Sequence, residues 1–167
     1  MLNRFFALLF CMFVVTGCGE DGHDEHNHGD LSLAEEACEH MQNGPATSLE
    51  ISAMSDAPTD TVHSTWEHKR VDLTLMDDGS GESFVGYVTY EAEAAGDYLV
   101  FADGQATITI NDEQPESAAE VSECSDVVQV QTFELAVGEH VMTVTASTAT
   151  VRLVVELDGG DGGHDDH

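Results

Sequence analysis

An alternation of apolar and polar residues with a period of two, broken at short intervals by turn signals, restricts this chain to a β fold. Leu49, Ile51 and Ala53 alternate with polar neighbours, as do Val71, Leu73 and Leu75. Further on, Val85, Tyr87 and Thr89 interleave with Gly86, Val88 and Tyr90. Further β-rich runs follow at 98–102, 106–110, 127–135, 141–145 and 151–157. Between them stand Asp77-Asp78-Gly79-Ser80-Gly81, Gly96-Asp97, Asp103-Gly104 and Val137-Gly138-Glu139, residues that favour tight reversals. Short strands at this spacing predict an antiparallel β-sandwich of jelly-roll-like kind. About 110 residues is an ordinary size for one such domain. The domain is expected over 31–158, and no internal repeat interrupts it.

One short helix should precede the strands. Ser32 and Glu35 have the spacing of a capping box, and Leu33, Ala34, Ala37, Cys38 and Met41 form an apolar stripe at helical spacing. Asn43-Gly44-Pro45 ends it, with Gly44 expected in a left-handed cap. Glu36 and His40 lie one turn apart on another face, where they can pair.

The N-terminus has a different character. Arg4 is followed by an apolar stretch from Phe5 to Val15, which ends in Thr16-Gly17-Cys18. This is a signal-peptide pattern over 1–17, too short for a spanning helix of about 20 apolar residues. The Val-Thr-Gly-Cys ending resembles a bacterial lipobox, which implies lipidation of Cys18 and a chain anchored to the bilayer rather than crossing it. Gly19 after that cysteine leans toward the outer membrane among locations in the cell envelope.

Charge excludes one class of partner. The chain holds 33 Asp and Glu against 4 Lys and Arg, a formal charge of −29; loss of Arg4 with the leader makes it −30. Phosphate backbones are held by clustered Lys and Arg, so nucleic acid is not a partner. Cations are the complementary ligand, although a solvated acidic surface accounts for the same composition.

Both ends repeat one bias. The stretch 19–30 has no apolar residue and carries His23, His26 and His28 among acidic side chains; 159–167 is Gly/Asp-rich and carries His164 and His167. Neither can bury enough surface to order itself, so both are expected to be disordered tails, the first a tether from lipidated Cys18 (18–30). Imidazole with carboxylate suits zinc, nickel or copper, whereas calcium prefers oxygen ligands alone.

Two phrases, Tyr90 to Phe101 and Phe133 to Val144, resemble the strand–Gly turn–strand unit of the pre-peptidase C-terminal type of β-sandwich. Cys38-Glu39-His40-Met41 before Gly44-Pro45, His68-Lys69 before a strand and the His-rich end resemble small proteobacterial lipoproteins of uncharacterised function. That resemblance singles out His40 and His68 as metal ligands inside the domain, converging where the helix meets the sandwich. His63 and His140 are expected at the surface near strand ends.

Cys38 and Cys124 are the remaining cysteines of the mature domain, and in an oxidising compartment they are expected to form a disulfide. The competing reading, Cys38 and His40 on one ion, suffers because the two point some 200° apart on a helix. No His follows Cys124 closely, so a blue-copper site is rejected. The acidic turn at 77–82 has oxygen ligands but no EF-hand spacing. Nucleophile elbows, zinc-protease signatures and phosphate loops are absent. The expectation is a non-enzymatic envelope lipoprotein that binds or buffers divalent metals. The alternative is a surface module for carbohydrate or protein, using aromatics such as Trp66 or Tyr90.

Overall fold

A computed structural model of the chain describes residues 32–50, 61–62 and 69–159. Helix α1 spans Leu33–Asn43. Eleven strands follow: β1 Ala46–Glu50, β2 Thr61–Val62, β3 Arg70–Thr74, β4 Met76–Asp77, β5 Phe84–Ala92 and β6 Gly96–Ala102, then β7 Ala106–Ile110, β8 Ser117–Glu120, β9 Gln129–Leu135, β10 Gly138–Ala146 and β11 Thr150–Leu157. They form two sheets. One has the order β1-β3-β11-β6-β9-β8, the other β2-β5-β10-β7 with β4 also on β5. Most pairings are antiparallel, as expected of a β-sandwich, but the edge strands β1 and β2 run parallel to β3 and β5.

From β5 onward the chain changes sheet at every connection except that between β8 and β9. Alternation along each strand then turns one face inward on a single core. Val71, Leu73, Val100, Phe133, Leu153 and Val155 from the first sheet meet Val88, Tyr90, Ile108, Met142 and Val144 from the second. Tyr90 and Tyr98 meet across the sheets with centroids 5.6 Å apart in edge-to-face contact. Such a pair adds about 0.5–1.5 kcal/mol beyond the area buried. Tyr90 is therefore a core residue at 1% exposure, which corrects its expected place on a sugar-binding surface.

Edge strand β7 is closed by a side chain from the opposite sheet. Gln131 Nε2 donates to the Ala106 carbonyl at 2.9 Å, and Gln131 Oε1 accepts from the Ile108 amide at 3.3 Å. Gln131→Leu would leave the Ile108 amide without that acceptor in a buried place. We expect a loss of ~2 kcal/mol, read as the urea midpoint. A midpoint within error of wild type would show that Gln131 does not stabilise the strand edge.

The helix begins as the capping box requires. Glu35 N donates to Ser32 Oγ at 3.3 Å, and Ser32 N donates to Glu35 Oε2 at 2.9 Å. Its end differs from expectation. Gly44 has φ −65° and ψ 157°, an extended rather than left-handed residue. Glycine is needed there for space, since a Cβ would stand 2.6 Å from the His40 carbonyl oxygen.

Helix α1 lies on the outer face of the first sheet. Ala37 and Met41 pack with Phe101, Val127 and Val154 in a second, smaller apolar cluster. That cover explains why β6 and β11 depart from simple alternation near their ends. Arg70 from β3 donates to the Met41 carbonyl at 3.1 Å, satisfying one of the helix's terminal acceptors. Cys38 is bonded to Cys124 in the loop between β8 and β9, as the cysteine count leads one to expect. Among the described residues no helix is long and apolar enough to cross a membrane.

Candidate metal centre

The helix brings two potential ligands to one place and the sheet supplies a third. Glu36 and His40 are four residues apart on α1, hence stacked on one face. Glu156 stands on β11 with the parity of Val154, the residue that packs under the helix, and is 2% exposed. Glu36 and His40 are buried as well, at 9% and 6%. One donor atom from each of the three lies within 4.8 Å of the others.

His40 Nδ1 and Glu156 Oε1 are 2.9 Å apart, with the imidazole N–H donating to the carboxylate. Burial alone pushes the His40 imidazole down. The Glu156 hydrogen bond and charge, aided by the Glu36 and Glu39 carboxylates, outweigh burial and raise its pKa above the ordinary value. Its position in the last turn also suits a cation, which the helix C-terminus favours. Gln42 Nε2 donates to Asp126 Oδ2 at 2.9 Å, tying the helix to the loop that carries Cys124. Arg152, also on β11, donates to Asp103 twice, from its backbone amide to Oδ1 at 2.8 Å and from Nε to Oδ2 at 2.7 Å.

Chemically, two carboxylates and an imidazole form a mixed oxygen and nitrogen set of the kind that binds zinc and neighbouring transition metals. With His40 neutral the trio carries two negative charges, which a dication balances. With His40 protonated and no metal, one negative charge remains within the trio. A proton and a metal therefore compete for His40 Nδ1.

Of the metal ligands expected from the sequence, His40 is in this cluster. His23, His26, His28, His68, His164 and His167 lie outside the described residues, as do Cys18, His63 and Trp66. His140 is described and is not a surface residue, being 9% exposed on β10. Its Nε2–H donates to the Ala136 carbonyl at 2.7 Å. Its Nδ1 accepts from Asn111 Nδ2 at 3.0 Å, because the Val141 amide donates to Asn111 Oδ1 and so orients that amide group. Both ring nitrogens are thus engaged, Nε2 with the β9–β10 turn and Nδ1 with the β7–β8 turn, where Asn111 and Asp112 have φ of 54° and 66°. The acidic turn likewise spends its oxygens on itself: Asp77 Oδ1 accepts from the Gly79 and Gly81 amides, and Asp78 Oδ1 from that of Ser80.

Glu156 escapes a reading of the sequence. It sits in Leu153-Val154-Val155-Glu156-Leu157, where a lone carboxylate inside an apolar run was the one available signal.

No family model matches the chain, and no curated protein matches it. Among solved structures it is similar to a β-glucosidase from Kluyveromyces marxianus in complex with glucose, at 16% identity and a TM-score of 0.30. The match covers 45% of this chain and spans a tenth of the glucosidase, 10% of that chain.

Proposed function

We propose that this protein is a lipid-anchored cell-envelope protein that binds divalent metal ions without catalysing a reaction. Glu36, His40 and Glu156 form its ordered site, and the histidines of 19–30 and 159–167 act as weaker collecting sites. The observation that carries this reading is the buried trio with donor atoms within 4.8 Å, in a chain of formal charge −29. Burying carboxylates is costly unless their charge is balanced, and a dication balances both at once. Zinc is the first ion to test, with nickel and copper next; calcium fits the imidazole poorly.

Titration of the full chain with zinc tests the proposal. We expect one tight site that His40→Gln and Glu156→Gln each remove, beside several weak sites. The weak sites should vanish when His23, His26, His28, His164 and His167 become Asn. Tight binding should fall on acidification already above pH ~6.5, because the raised His40 pKa lets protons compete earlier than at an ordinary histidine. A chain that binds no zinc, or binds it equally without His40, ends this reading.

The anchor is tested separately. Cys18→Ala should abolish incorporation of labelled palmitate and leave the protein misprocessed or released from the membrane fraction. Unchanged labelling would remove the lipoprotein part of the proposal and leave the metal site standing.

A further inference from the structure

The candidate centre is divided between two elements, Glu36 and His40 on α1 and Glu156 on β11. Between the two helical ligands, two residues from each, sits Cys38, covalently joined to Cys124. We propose that this disulfide controls the metal site: oxidised, it holds Glu36 and His40 over Glu156, and reduced, it lets the helix separate and the dication leave. The inference rests on the metal-binding reading above and adds its regulation.

The physical basis is that the crosslink adds a covalent tie to the side-chain contacts that hold the helix down. α1 has 11 residues, and isolated helices shorter than about 12–15 residues are marginal in water. Its apolar contact with the sheet is a patch built on Ala37 and Met41 with Leu33 and Ala34 at its margin, and Arg70, Gln42 and His40 add one hydrogen-bonded tie each. Ordering each residue costs about 1–2 kcal/mol of backbone entropy, which these contacts must offset before the helix stays docked. The crosslink keeps the Cys38 and Cys124 Cα atoms within reach of one another, 6.1 Å in the folded chain. Undocked states are therefore excluded while the bond is intact and allowed once it is broken. A site that exists only in the docked state binds with an affinity reduced by the docked fraction.

The redox step balances with a dithiol as reductant. Cys124 is half-buried and Cys38 is 7% exposed, so the reductant's thiolate reaches Cys124 Sγ first. A mixed disulfide forms at Cys124 while the bond to Cys38 breaks, and Cys38 leaves as a thiolate that takes a proton. The reductant's second thiolate then attacks its own sulfur in the mixed disulfide and expels Cys124, which is protonated in turn. The reductant ends as a disulfide, and two electrons have passed to the protein. By linkage, metal that favours the docked state must also oppose reduction to the same degree.

The experiment uses the full chain with His23, His26, His28, His164 and His167 changed to Asn, so that the tails bind nothing. Zinc affinity is compared between the oxidised protein and its Cys38→Ala/Cys124→Ala form, with circular dichroism confirming that the sheets persist. We expect at least ten-fold weaker binding without the crosslink. In a second arm, saturating zinc should shift the protein's thiol–disulfide equilibrium in a glutathione redox buffer at least ten-fold toward the disulfide, a measurement that needs no cysteine variant to fold. Equal affinities, or a zinc-indifferent redox equilibrium, would overturn the regulation and leave the metal site intact. An oxidised protein that binds no zinc would overturn both.

Discussion

Replacing Cys38 and Cys124 together by alanine should lower the melting temperature of the domain by ~15 °C. The crosslink joins residues 86 apart in sequence. On the chain-entropy model, closing so long a loop removes enough freedom from the unfolded chain to be worth about 4–5 kcal/mol. A domain of this size shifts by roughly 3–4 °C for each kcal/mol, which sets the scale of the fall. Calorimetry with a chelator present isolates the covalent contribution from any metal. A fall of only two or three degrees would mean that the reduced unfolded chain keeps α1 near the β8–β9 loop, so that the bond removes little entropy.

The second large effect belongs to the His40–Glu156 pair. His40→Leu should cost about 3–5 kcal/mol, because it leaves Glu156 buried without the imidazole it binds at 2.9 Å. Changing both residues to Leu should cost much less than the sum of the single changes, since no uncompensated charge then remains at that position. The pH dependence follows from the direction of the shift. The folded pKa of His40 is raised above its unfolded value of about 6.5, so the folded state holds the proton more tightly. Its contribution to stability is fully present below pH ~6.5 and is lost as pH rises through the higher folded value. Denaturation of wild type and of the His40 variant across pH 6–9, without metal, reads this as a shrinking difference. A difference that grows toward pH 9 would contradict the ion pair.

These effects also mark what is legible in the residues alone. The helix is local chemistry: a capping box at Ser32, an apolar stripe and Pro45 beyond its end define it from neighbours within a few positions. Strands such as β7 and β10 are equally legible, since each has one buried face and shows the two-residue period without disturbance. The crosslink followed from counting, because only two cysteines remained for the domain. Strand β8 did not announce itself: Ser117-Ala118-Ala119-Glu120 is exposed along its whole length and is recruited only by pairing with β9.

What tertiary structure alone decided was burial on second faces and the company each residue keeps. Tyr90 looks like an exposed aromatic until the opposite sheet places Tyr98 against it. His140 looks like a loop-end residue until Asn111, 29 positions away, turns its amide toward the ring. Glu156 is the clearest case. Its own strand shows a lone carboxylate in an apolar run but not what covers it, because the cover is a helix 116 residues earlier in the chain. Periodicity records the face that a strand turns to its own sheet's core. It carries no information about a distant element laid across the other face, and that is where the candidate centre was made.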